Sequence, residues 1–221
     1  NEFFGSGIGS VRDYFQANSW GTFNLMEAAI EGNWVQLQQP QTYYASFGGG
    51  DPSQTPQLYA DVCNKSNVNW GAIDTNNDHN ISPDEAIICL LSPEGGIGMT
   101  MRPMNINFNS NNGGGVYFAS GNMNVFLCKT QATQTGTDDI SYGKSTICHE
   151  LCHSLFDLPD RYFSTCTTGW TGRWDIMSNN CAFVNMNIVD KIKLGWISPP
   201  IITAGSSEVC YNFPSSNANP A

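Results

Sequence analysis

Apolar residues in this chain recur at helical spacing in some stretches and alternate with polar ones in others. Val11-Arg12-Asp13-Tyr14-Phe15-Gln16 predicts a short amphipathic helix, with Ser10 placed to cap it and Trp20-Gly21 to stop it. Gln57–Lys65 predicts another, carrying Leu58, Val62 and Cys63. Ile147, Leu151 and Leu155 repeat every four residues and predict a third, with Ser145 or Thr146 as its cap. That helix must turn by about Leu158, because Pro159 follows. Val184–Leu194 returns to helical spacing ahead of Gly195-Trp196-Ile197. Strands are predicted at Thr22–Met26, Asn33–Leu37, Ala86–Leu91, Met104–Phe108, Gly115–Ala119 and Asn124–Lys129, separated by Asn/Gly turns. Gln38–Thr55 is rich in Pro, Gly and Tyr and is expected as loop. Arg161–Asn180 is irregular, with Trp174 expected in the core. The mixture is of α+β class, without internal repeats.

The predicted third helix contains His149-Glu150-Leu151-Cys152-His153. Residues four apart stack on one helix face, so the two imidazoles can share one ion with Glu150 beside them. Zinc held this way keeps a coordination position for water, whose proton the Glu can take. Of the 3 histidines in the chain, two fall in this pentapeptide, which favours a ligand pair over two core histidines.

Composition narrows the class. Lys and Arg number 9 against 19 Asp and Glu, a net charge of −10 with no basic cluster, so nucleic acid and anionic membrane are not expected partners. No apolar run approaches the ~18 residues of a membrane span. The 8 cysteines (Cys63, Cys89, Cys128, Cys148, Cys152, Cys166, Cys181 and Cys210) read as disulfides of an oxidised compartment, since no C-x-x-C pair suggests a thiolate zinc site. Cys148 and Cys152 lie off the histidine face and are expected to bridge outward. The sequon Asn64-Lys65-Ser66 fits secretion. The opening NEFFGSG lacks a signal-like apolar run, so a processed form is expected, with any signal and pro-segment removed.

A catalytic zinc takes three protein ligands plus water. His79 is the remaining histidine, but it lies in Asp74–Glu85, a stretch patterned as a twelve-position calcium loop. There Asp74, Asn76, Asp78, Asn80, Ser82 and Glu85 supply oxygens. His79 stands where Gly normally makes the sharp turn, and Asn and His are among the residues that tolerate that left-handed backbone. A structural calcium ion is expected. For zinc the near candidates are Asp157 and Asp160. Asp157 continues the histidine spacing, but His149 to Asp157 spans about 12 Å of helix axis, too far to share one ion unless the helix breaks. Asp160 lies beyond Pro159 and can approach from a new direction. It is the favoured ligand, with Asp157 in reserve.

HELCHSLFDLPDRY resembles the zinc helix of the M6, immune inhibitor A-type, metalloproteases, which is followed by Gly-Leu-Pro-Asp-x-Tyr. SVRDYFQANSWGTFNL, the Asp74–Glu85 loop, GRWDIMS and DKIKLGWISP resemble further pieces of that family in order, from about Ser10 to Pro199. The resemblance implies a metzincin-like α+β fold. An upper subdomain, residues 1–156, would hold a twisted mixed sheet, the calcium-type loop and the active-site helix. An irregular lower subdomain, 157–221, would hold the Met-turn with Met177 and a C-terminal helix, the two forming one catalytic domain. It also implies zinc on His149, His153 and Asp160, with Glu150 as general base. The chain departs from the family at Phe156, which stands at the Gly position, and at Asp160, one residue further along than the family's Asp. Asp157 is the nearby residue best able to adopt the left-handed turn that Gly would provide; if it does, Phe156 is the extra residue.

The expected function is therefore a secreted, monomeric zinc endopeptidase acting on proteins or peptides and made as a zymogen. The alternative, a secreted calcium-dependent binding module with a non-catalytic zinc site, leaves Glu150 without a role.

Overall fold

The computed structural model describes residues 4–5, 7–26, 34–44, 55–92, 99–100, 104–121, 123–127, 139–162, 174–178 and 184–199. Backbone contacts divide the chain into two units, Glu27–Gly143 and Asn1–Met26 with Lys144–Ala221. The calcium-type loop thus falls in one unit and His149 in the other, whereas the sequence reading grouped both before residue 157.

In the Glu27–Gly143 unit, helices α2 (Thr55–Lys65) and α3 (Trp70–Ile73) accompany six strands: β1 (Asn80–Ile81), β2 (Ile88–Ser92), β3 (Met99–Thr100), β4 (Met104–Ser110), β5 (Gly115–Gly121) and β6 (Met123–Leu127). They form two mixed sheets, ordered β1-β5-β4 and β2-β6-β3. In the first, β1 runs parallel to β5 and β4 antiparallel to it, with Phe108 opposite Tyr117. Alternation in β4 buries Ile106, Phe108 and Ser110 while Asn105, Asn107 and Asn109 face solvent, the two-residue period of a half-buried strand. Helix α2 packs on β4. Tyr59, Cys63, Trp70, Ile81, Ile106, Phe108, Tyr117 and Ala119 form the core. The β4–β5 turn needs Gly113, because a Cβ there would lie 2.6 Å from the nitrogen of Gly71.

In the other unit, α1 (Val11–Asn18) begins where Ser10 accepts a hydrogen bond from the Asp13 N–H, as its sequence predicts. The turn that follows it passes through Trp20 and Gly21, both at positive φ. Helix α4 (Asp139–Phe156), which belongs to this unit from Lys144 onward, carries the histidine pair, and α5 (Ile188–Lys193) is capped by Asn187. Phe15, Phe23, Phe156 and Trp196 pack as an aromatic cluster with ring centroids 5.2–5.9 Å apart.

Several expectations need correction. Helix α4 begins at Asp139, so Ser145 and Thr146 are buried within it and cap nothing. Thr22–Met26 is not a strand. Phe23 is drawn into the aromatic cluster, and Asn24 accepts from Arg12 and Gln16, so local side-chain bonds replace a ladder. Residues 34–37 are likewise irregular, with Trp34 exposed; Asn33 lies outside the described residues. Trp174 is 85% exposed, not core.

No disulfide is formed among the described residues. Cys63, Cys148 and Cys152 are buried thiols; Cys128, Cys166, Cys181 and Cys210 lie outside the described residues. No helix among the described residues is long and apolar enough to cross a membrane.

Candidate metal centre

Two turns of α4 bring the histidines together. His149 and His153, four residues apart, stand with ring centroids 4.7 Å apart and perpendicular planes. The helix stops at Phe156 because Asp157 adopts φ 52°, the left-handed turn that the sequence assigns to it. The Asp157 N–H still bonds to the carbonyl of His153, and the chain then reverses through Leu158-Pro159. Asp160 thereby returns to the histidine face, while Asp157 stays exposed and outside the cluster. Phe156, the last residue of α4, fills the aromatic cluster.

Three atoms converge. His149 Nε2 lies 3.1 Å and His153 Nε2 3.2 Å from the same Asp160 Oδ1, and the two Nε2 atoms are 3.2 Å apart. The other ring nitrogens fix the protons. His149 Nδ1 lies 2.9 Å from the carbonyl oxygen of Ile176, and His153 Nδ1 2.5 Å from that of Leu158. A carbonyl only accepts, so each Nδ1 carries a hydrogen, and Nε2 is the nitrogen left to face Asp160. Two ring nitrogens and a carboxylate oxygen thus face one another, an arrangement that a cation at the centre could share. Tetrahedral zinc at its usual ligand distances sets its ligands about 3.3 Å apart, close to all three edges of this triangle. The donor set of two imidazoles and one carboxylate fits zinc.

The three side chains also interact as hydrogen-bond partners. Burial raises the Asp160 carboxyl, but hydrogen bonds to His149 and His153 outweigh it and hold its pKa well below the usual carboxylate range. Burial pulls His153 down, yet Asp160 and the Leu158 carbonyl raise it overall. Burial pushes the Cys148 and Cys152 thiols up, keeping them from the thiolate form a metal requires. Glu150 is buried on α4 between the two histidines in sequence. The cluster is sealed on the His149 side and open at Asp160, whose side chain is 47% exposed.

Behind the histidine pair lies the segment that the resemblance reads as the Met-turn. Asp175, Ile176, Met177 and Ser178 are all buried. Ile176 accepts from His149, Met177 accepts from the Arg161 N–H at 2.8 Å, and Ser178 Oγ donates to the Arg161 carbonyl. The Arg161 guanidinium pairs with Asp175 at 2.7 Å and with both oxygens of Asp190 at 2.6 Å. Sequence reasoning assigned these three charges no role. The available signal was one arginine beside a candidate ligand in a chain with few cations.

The calcium-type loop follows its expected backbone in part. His79 stands at φ 61° and Asn77 at φ 59°. Asp74 accepts the N–H groups of Asp78 and His79, and Asn76 accepts that of Asp78. Asp78 accepts from Asn80, and Glu85 accepts from Thr75 and from Ser82. These oxygens face the loop's own donors. Among the described residues, His149, His153 and Asp160 are the only three His, Cys, Asp or Glu side chains whose ligand atoms lie within 4.8 Å of one another.

No protein-family model, curated protein or solved structure matches this chain.

Proposed function

We propose that the protein is a secreted zinc-dependent endopeptidase of metzincin type, akin to the immune inhibitor A-type enzymes it resembles. The observation that carries the reading is the convergence of two Nε2 atoms and one carboxylate oxygen within 3.2 Å. His149, His153 and Asp160 would hold the ion. Two neutral imidazoles and one carboxylate leave a dication with net positive charge, as Lewis-acid chemistry needs. Zinc so held supplies acidification of water and polarisation of a peptide carbonyl.

Glu150 takes the proton of the attacking water as its oxygen adds to the carbonyl carbon. It returns that proton to the amine nitrogen as the C–N bond breaks. The Ile176 and Leu158 carbonyls keep both rings in the tautomer that presents Nε2. Met177 packs behind the site without taking part in the chemistry. The open Asp160 side gives a peptide its approach. A calcium ion in the Asp74–Glu85 loop would serve structure only. Zinc content, measured together with chelator-sensitive digestion of casein, tests the reading. A structural zinc site would bind the metal yet leave a Glu150→Gln variant indistinguishable from the parent.

A further inference from the structure

Resting on that zinc reading, we propose that Arg161 is a positioning residue. Its ion pairs with Asp175 and Asp190 set the metal ligands Asp160 and His149 in register with each other. Asp160 sits on a chain reversal, outside any helix or strand, with a side chain half open to water. Its direction is therefore set by the backbone behind it, and that backbone is held through the next residue. The Arg161 N–H donates to Met177 and its carbonyl accepts from Ser178, so both polar groups of the Arg161 backbone are tied to one buried turn.

The side chain adds a second hold. Arg161 Nη1 and Nη2 meet the two oxygens of Asp190 at 2.6 Å each, the planar fork-to-carboxylate match that lysine lacks. Nη1 also meets Asp175 at 2.7 Å, and both carboxylates are essentially fully buried. Asp175 then accepts the Met177 N–H at 3.1 Å, which braces the turn. The residue between them, Ile176, carries the carbonyl that orients His149. One guanidinium thus governs two ligands, Asp160 through its own peptide and His149 through the turn. Buried ion pairs seldom add net stability relative to apolar packing, so geometric fixing is the role that this arrangement favours.

The test is zinc affinity of the full chain by competition with a chromophoric chelator, in the parent and in Arg161→Lys, Asp190→Asn and Asp160→Asn. Circular dichroism selects a temperature at which each variant is folded. Arg161→Lys keeps the charge but loses the fork, and Asp190→Asn serves if the lysine variant does not fold. Loss of an outer partner typically weakens metal binding by about 10- to 100-fold, and that range is expected for both variants. The visible spectrum of cobalt(II) placed in the site should change as well, while KM for a peptide substrate holds. Zinc affinity equal to the parent's in folded Arg161→Lys or Asp190→Asn, with Asp160→Asn weakened, overturns the positioning role and leaves the zinc reading standing. A parent that takes up no zinc overturns both.

Discussion

The carbonyl oxygen of Ile176 lies 2.9 Å from Nδ1 of His149. That contact makes Nδ1 the donor of a buried ring and leaves Nε2 to face Asp160. The Leu158 carbonyl does the same for His153.

Asp160, not Asp157, is predicted to complete the metal site. Asp160→Asn should weaken zinc binding, measured by chelator competition, by at least tenfold, whereas Asp157→Asn should leave it within about twofold. The reverse order would mean that the helix end rearranges when metal binds.

Asp157 is predicted to matter to stability instead. At φ 52° it occupies a conformation that glycine adopts freely and β-branched residues resist. Asp157→Gly should keep the midpoint of urea unfolding or raise it slightly. Asp157→Val should cost about 1–2 kcal/mol, with zinc content unchanged in both. Equal stability of the two variants would show that the turn is not the constraint described.

The calcium-type loop should respond to acid through Glu85. The Ser82 N–H first, together with the donors of Thr75, holds its carboxyl at about 2, below the ordinary 4.5. A depressed carboxylate stabilises the folded state above its unfolded pKa. The contribution is therefore present above about pH 4.5 and fades as pH falls toward 2. Thermal midpoints between pH 6 and 2 should fall less in Glu85→Gln than in the parent. Added calcium should raise the parent's midpoint only at about 0.1–1 mM or higher, because the ion must compete with the loop's own donors. A response at micromolar calcium would contradict this.

Much of the fold was legible where one local signal dominated. Ser10 capped α1 as its side chain suggests, Pro159 ended the run after α4, and the alternation in Met104–Phe108 gave β4 its buried face. The paired histidines were legible because helical spacing alone sets their proximity. Asp160 needed a chain reversal, yet the left-handed tendency of Asp157 made that reversal readable. What stayed hidden depends on partners distant in sequence. Arg161 meets Asp175 and Asp190, 14 and 29 residues away, and no spacing rule links them. The supposed strand at Thr22–Met26 failed for a related reason: the aromatic partners Phe156 and Trp196 decide where Phe23 goes. The start of α4 was misplaced because Ser145 and Thr146 carry the side chains of a cap but lie on a buried stretch.

The most direct test is zinc content and casein hydrolysis, measured together on the parent and on Glu150→Gln, with and without 1,10-phenanthroline. The account predicts about one zinc per chain in both proteins. It predicts hydrolysis by the parent that the chelator abolishes, and a rate about 10²- to 10⁴-fold lower in Glu150→Gln. A parent without zinc, or hydrolysis that survives in Glu150→Gln, would contradict it.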